Sequence, residues 1–103
     1  MQIKDGRSGD TLYIKLVGEM DEYSAASIRE KCDKLIESNV GAKKIIINLS
    51  EVAFMDSTGI GFLIGRYKKA TRLNIPLFVE APNLAADKIL NLSGIYTLIP
   101  KAE

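Results

Sequence analysis

Asp56, Ser57 and Thr58 stand in a row immediately before an apolar, glycine-rich stretch, Gly59-Ile60-Gly61-Phe62-Leu63-Ile64-Gly65. Where a helix begins, Asp56 or Ser57 can cap it by accepting a backbone amide hydrogen bond. A hydroxyl at such a point can also carry phosphate, because free amides and the helix dipole favour an anion there. Ser57 cannot act as a catalytic nucleophile. The chain contains no histidine, and no other base is at hand to take the serine proton. If Ser57 reacts, another protein supplies the catalysis. An aspartyl-phosphate at Asp56 would require a metal-binding acidic pair at strand ends, and none is evident. The glycines resemble a dinucleotide fingerprint, but their spacing, G-x-G-x-x-x-G, is one residue too long. A P-loop Lys-Ser/Thr is also missing. The plainer reading is that Gly59 and Gly61 let the backbone bend, while Gly61 and Gly65 let a helix lie close to a neighbour. Nucleotide binding or phosphotransfer at the 59–65 helix start stays as the second functional reading.

The other reactive residue types point to little chemistry. Cys32 falls on an apolar helical stripe and reads as a small buried hydrophobe. Glu19, Asp21 and Glu22 form an acidic loop without metal-ligand spacing, so no metal site is expected. Arg66, Lys68, Lys69 and Arg72 read as a solvated basic helix end. With no aromatic platform beyond Tyr67, they do not suggest nucleic-acid binding. Composition agrees. Lys and Arg number 14 against 13 Asp and Glu, a net charge of +1, too small to draw in nucleic acid or an anionic membrane. With 47% hydrophobic and 26% charged residues the chain is globular, and 103 residues make one domain, 1–103, able to bury a single core. No apolar run is long enough to span a membrane, and residues 1–5 lack the apolar stretch of a signal peptide. A lone cysteine suits a reducing cytoplasm.

The elements that position these residues can be read from periodicity. Residues 5–10, Asp-Gly-Arg-Ser-Gly-Asp, are turn-rich and read as a hairpin connection after Ile3. Residues 11–18 alternate, with Leu12, Ile14 and Leu16 on one face, which predicts a strand with that face buried. A polar loop over residues 19–23 precedes a helix with Ala25, Ile28, Cys32, Leu35 and Ile36 on its stripe. Asp21 or Ser24 caps its start, and Gly41 lies just past its end. The run Ile45-Ile46-Ile47-Asn48-Leu49 does not alternate, which predicts a central strand covered on both faces. Residues 50–56 read as a loop anchored by Val52 and Phe54. The second helix presents Ile60, Leu63, Ile64 and Tyr67. Pro76 opens a short strand, Leu77-Phe78-Val79. A third helix begins at Pro82-Asn83, buries Ala85, Ile89 and Leu92, and stops at Gly94. Residues 97–99 could form a last strand. The order predicts an α/β fold: a mixed sheet of four to five strands, a hairpin edge joined to parallel strands, with helices packed on it.

Phe54-Met55-Asp56-Ser57-Thr58-Gly59-Ile60-Gly61, followed by Gly65-Arg66-Tyr67-Lys68, resembles the signature of the STAS family of anti-sigma factor antagonists. Gly18-Glu19-Met20-Asp21 is similar to the family's segment before the first helix. The order of elements agrees over nearly the whole chain. The Gly-Arg-Tyr-Lys extension and Leu92-Ser93-Gly94-Ile95 resemble most closely the anti-sigma F antagonists of the stage II sporulation type. The resemblance implies a regulator of sigma factors and hence of transcription, and not an enzyme. In the family the unphosphorylated antagonist binds an anti-sigma factor that is itself an ATP-dependent serine kinase, and so frees the sigma factor. The kinase then phosphorylates the motif serine, here Ser57, and the phosphorylated antagonist lets go until a serine phosphatase restores it. ATP or ADP sits on the kinase, so the chain needs no cofactor. By the same resemblance Glu19, Asp21, Asp56, Ser57, Thr58, Gly59, Ile60 and Gly61 form the partner-binding face of a protein that is monomeric when free. Family members usually continue into a last amphipathic helix. This sequence stops at Glu103, so that helix is expected to be shortened or absent.

Overall fold

The computed structural model describes residues 1–102, so Glu103, the last residue of the expected domain, lies outside the described residues. The chain runs β1 (Gln2–Ser8), β2 (Thr11–Met20), α1 (Glu22–Glu37), β3 (Lys44–Met55), α2 (Ser57–Arg72), β4 (Leu77–Glu80), α3 (Leu84–Ser93) and a 3-10 turn (Ile95–Thr97). The strands form one four-stranded mixed sheet, as expected, and its order is β1-β2-β3-β4. β1 and β2 are antiparallel, and β2, β3 and β4 are parallel.

The hairpin is tighter than the turn-rich sequence predicts. β1 pairs as far as Ser8 with Thr11, which leaves only Gly9 and Asp10 to turn. Gly9 takes a φ of 58°, the conformation a two-residue hairpin demands and glycine adopts without a Cβ penalty. Asp5, Arg7 and Ser8 lie exposed on an edge strand, where polar residues discourage pairing with other chains.

Right-handed β-α-β crossovers that always step the same way along a sheet place their helices on one face. The buried side chains of all three helices accordingly join Leu12, Ile14, Leu16, Ile45, Ile47, Leu49, Leu77 and Val79 in a single core. β3 is central, but it is not covered by helices on both faces. Ile46 lies across the sheet from that core, and its register neighbours Tyr13 and Phe78 shield it.

β3 also corrects the reading of residues 50–56. Residues 50–55 are strand, paired with β2 through Val17–Glu51, Gly18–Val52, Glu19–Phe54 and Met20–Met55, with register shifts at two points, and only Asp56 lies between the strand and α2. These bulges add residues to β3, so the inward side chains Leu49, Val52 and Met55 come three apart, which hides the period of two. The expected loop over residues 19–23 shrinks to Asp21, because Glu19 and Met20 complete β2 and α1 starts at Glu22.

Helix stripes are partly rotated from their expected positions. α1 buries Ala25, Ile28, Cys32 and Ile36 as expected, with Leu35 half-buried, and it ends at Ser38 before Gly41 is reached. α2 buries Gly59, Phe62, Leu63, Arg66 and Ala70, which leaves Ile60, Ile64 and Tyr67 at the margins. α3 buries Ala86 and Leu90, one residue on from the expected Ala85 and Ile89, and Leu92 is 78% exposed. Gly94 ends α3 at a φ of 77°. Residues 95–97 form the 3-10 turn where part of a last strand was expected, and the only further pairing among the described residues is a parallel bridge from Lys101 to Val79.

Candidate functional site

Parallel strands point the same way, so the connections from β2, β3 and β4 into α1, α2 and α3 all emerge at one edge of the sheet. Two of them share a pattern: Met20 and Met55 end β2 and β3, and an aspartate then caps the helix. Asp21 accepts a hydrogen bond from the Ser24 amide at 2.9 Å, and Asp56 accepts one from the Thr58 amide at 2.8 Å. The two methionines are register partners, and the Asp56 amide donates to the Met20 carbonyl at 3.4 Å. The starts of α1 and α2 are therefore held side by side. The Ser24 amide is the chief reason the Asp21 carboxyl lies below the usual carboxylate range.

This arrangement decides between the two candidate caps of α2. Asp56 caps, which leaves the Ser57 hydroxyl unused at the first helical position, on an exposed residue. A phosphate there would sit at the favourable end of the helix dipole, so it need not unfold the helix.

The remaining expected residues spread around this point. Glu19 is exposed at the end of β2, opposite Phe54. Thr58 and Ile60 are half-buried, and Gly61 is exposed. Gly59 is buried, and its role is internal. A Cβ on it would lie 2.5 Å from Met55 Cγ and 3.1 Å from Met20 Cγ, so only glycine lets α2 settle onto the two methionines. The close approach thus occurs at Gly59, whereas a Cβ at Gly61 or Gly65 would meet nothing within 4 Å. No backbone bend is involved, since all three glycines lie in regular helix.

The second reading, a nucleotide held by residues 59–65, finds no cradle. Open α/β sheets bind nucleotides at a point where the strand order reverses, and this order runs straight from β1 to β4. The Asp56 carboxylate already occupies the start of α2.

Two features escaped the sequence reading. Arg66, read as a solvated cation, is 4% exposed. Its Nε lies 2.7 Å from Asp33 Oδ1 of α1, and its guanidinium stacks 4.8 Å from the Phe62 ring centroid. The spacing of Gly59, Phe62, Leu63, Arg66 and Ala70 was the available signal: Arg66 completes the buried stripe of α2. Phe54, expected to anchor a loop in the core, is instead 50% exposed, because the bulged strand turns it away from Met55. Cys32 is buried as expected, and desolvation pushes its thiol up to about 12, which leaves it inert.

A profile of the STAS domain matches residues 2–102. The anti-sigma F factor antagonist of Paenibacillus polymyxa is 28% identical over 100 residues, which cover 97% of this chain and 85% of that protein. The anti-sigma-B factor antagonist of Bacillus subtilis (strain 168) is 30% identical over 88 residues, covering 85% and 78% of the two chains. Among solved structures, the anti-sigma factor antagonist SpoIIAA in its unphosphorylated form superposes with a TM-score of 0.79 at 25% identity, over 99% of this chain and 89% of that one. The phosphorylated form of SpoIIAA, a Bacillus cell fate determinant, superposes with a TM-score of 0.70 over 99% and 92%.

Proposed function

The chain belongs to the STAS domain family, and from that premise we propose that it is an anti-sigma factor antagonist worked by partner switching. Unphosphorylated, it binds an anti-sigma factor that is a serine kinase, and so releases the sigma factor. The kinase transfers the γ-phosphate of its own ATP to Ser57 Oγ and keeps the ADP. The phosphorylated chain dissociates, and a serine phosphatase removes the phosphate by hydrolysis. The chain is a regulator and no enzyme. It carries no cofactor of its own, engages neither nucleic acid nor membrane, and acts in the cytoplasm as a monomer between partners.

The observation that carries this reading is the Ser57 hydroxyl, exposed at the start of α2 and relieved of capping by Asp56. The names of the relatives and the existence of a phosphorylated structural neighbour support it. So does the electrostatics. Phosphorylation adds roughly −1.5 to −2 charges to a small neutral group. In the docked state Ser57 must lie within reach of the nucleotide, so after transfer its phosphate faces the phosphates of ADP across a dry contact, with Asp56 and Asp21 behind it. Repulsion there opposes docking without any refolding of this chain. Glu19, Asp21, Asp56, Thr58, Ile60 and Gly61 complete the docking face, and Gly59 supports it from beneath.

The test is to incubate the chain with the anti-sigma factor kinase of the same organism and ATP, then map the modified residue by mass spectrometry. Stoichiometric phosphate on Ser57 is expected. Phosphate on Thr58 or Ser50, with Ser57 untouched, would refute the assignment.

A further inference from the structure

Three large apolar side chains stand in solvent around Ser57. Tyr23, the second residue of α1, is 86% exposed; Phe54, next to last in β3, is 50% exposed; and Leu84, the first residue of α3, is 90% exposed. Each comes from a different one of the three connections at the C-terminal edge of the parallel strands. Because β3 lies between β2 and β4, Ser57 falls between Tyr23 on one side and Leu84 on the other. Helix starts do not need apolar residues at these positions.

The third connection, absent from the sequence-derived site, is held firmly. Asn83 accepts a hydrogen bond from the Ala86 amide at 2.8 Å, and its Nδ2 donates to the Val52 carbonyl at 3.1 Å. Leu84 is therefore tied to the end of β3, in continuity with the Ser57 face.

Charge sets this edge apart as well. Residues 16–28, 50–65 and 79–87 contain no Lys or Arg, yet they bring Glu19, Asp21, Glu22, Glu51, Asp56 and Glu80 to this edge or close to it. The basic groups beside them are engaged by acids: Lys15 pairs with Glu51 at 2.6 Å, Lys101, bridged to Val79, pairs with Asp87 at 2.7 Å, and Lys4 and the N-terminal ammonium act on Glu51 and Asp21. Lys43, Lys44, Lys68, Lys69 and Arg72 cluster towards the opposite edge. A chain of net charge +1 is thus strongly polarised.

We infer that the anti-sigma factor kinase grips this edge through apolar pockets for Tyr23, Phe54 and Leu84, ringed by basic side chains that face the acidic rim. The inference rests on the antagonist reading above. It assigns affinity to the apolar anchors, association rate to the rim, and switching to Ser57 at the centre, opposite the nucleotide.

Titration calorimetry of the kinase with ADP against Tyr23→Ala, Leu84→Ala and Leu92→Ala tests it. All three residues are exposed, so the fold is retained, and circular dichroism checks this. The first two variants are expected to bind about tenfold more weakly or worse. Leu92→Ala, at the far end of α3, is expected to match the unaltered chain within about twofold, since it lies outside the anchor set. Affinity of the unaltered chain is expected to fall as NaCl rises from about 50 to about 300 mM. Full affinity in Tyr23→Ala and Leu84→Ala, with Ser57 still phosphorylated by the kinase, would overturn the inference and leave the antagonist reading standing. An equal loss in Leu92→Ala, or indifference to salt, would also overturn it. Failure of the unaltered chain to bind the kinase or to be phosphorylated would overturn both.

Discussion

Arg66→Ala is expected to lower the stability of the domain by about 3 kcal/mol, roughly a 15 °C fall in melting temperature for a chain this size. The cause is a half-removed ion pair. The Arg66 side chain is 5% exposed and Asp33 27%, so taking away the guanidinium strands a carboxylate that water reaches only in part. That residual access places the cost at the lower end of the range for breaking a buried pair. The pair itself is not ideally satisfied. Nη2 donates to Asp33 Oδ2 at a long 3.4 Å, the short Nε–Oδ1 approach is a charge contact with poor hydrogen-bond geometry, and Nη1 has no partner among the described residues. Replacing both ends, Arg66→Met with Asp33→Ala, is therefore expected to recover stability to within about 1 kcal/mol of the original, because a well-packed apolar pair can equal a buried ionic one. Urea unfolding of the two variants checks this. Equal losses in both would mean that packing of the Arg66 stem, and not its charge, holds α1 against α2.

The second large effect belongs to Ser57. Ser57→Asp is expected to weaken binding to the anti-sigma factor kinase by about tenfold, or about 1.4 kcal/mol, since one carboxylate only partly imitates a phosphate. Ser57→Ala is expected to keep the affinity of the unmodified chain and to stay bound in the presence of ATP, because it removes the acceptor without adding charge. Neither change touches the cap, which Asp56 supplies. Both proteins should thus unfold at nearly the same denaturant concentration as the parent, and surface plasmon resonance at equal ADP concentration gives the affinities.

Much of this was legible in the sequence, and the failures have physical causes. The alternation of Leu12, Ile14 and Leu16, the stripe of α1, a helix start at Asp56 or Ser57 and the glycine stop at Gly94 are signals local to a few residues, and each appears where its pattern put it, with Asp56 the cap of the two candidates. Residues 50–55 were misread because bulges in β3 replace a period of two with steps of three, and nothing local announces a bulge whose register partners, such as Val17 for Glu51, lie far away in the sequence. Arg66 was misread because a charge is normally a solvent marker, and its burial depends on Asp33 from another helix. Of the three connections in the proposed docking face, two were read, since Asp-Ser-Thr and Glu-Met-Asp announce themselves as polar motifs. Leu84 carries no local signal of its own, and its 90% exposure is seen only once α3 is packed.

The most direct test of the switch is to compare the kinase's affinity, with ADP bound, for the chain before and after complete phosphorylation of Ser57. A loss of at least about a hundredfold, close to 2.8 kcal/mol, is expected on phosphorylation, with circular dichroism unchanged. Equal affinity for the two forms would contradict the claim that an anion at the start of α2 turns docking off.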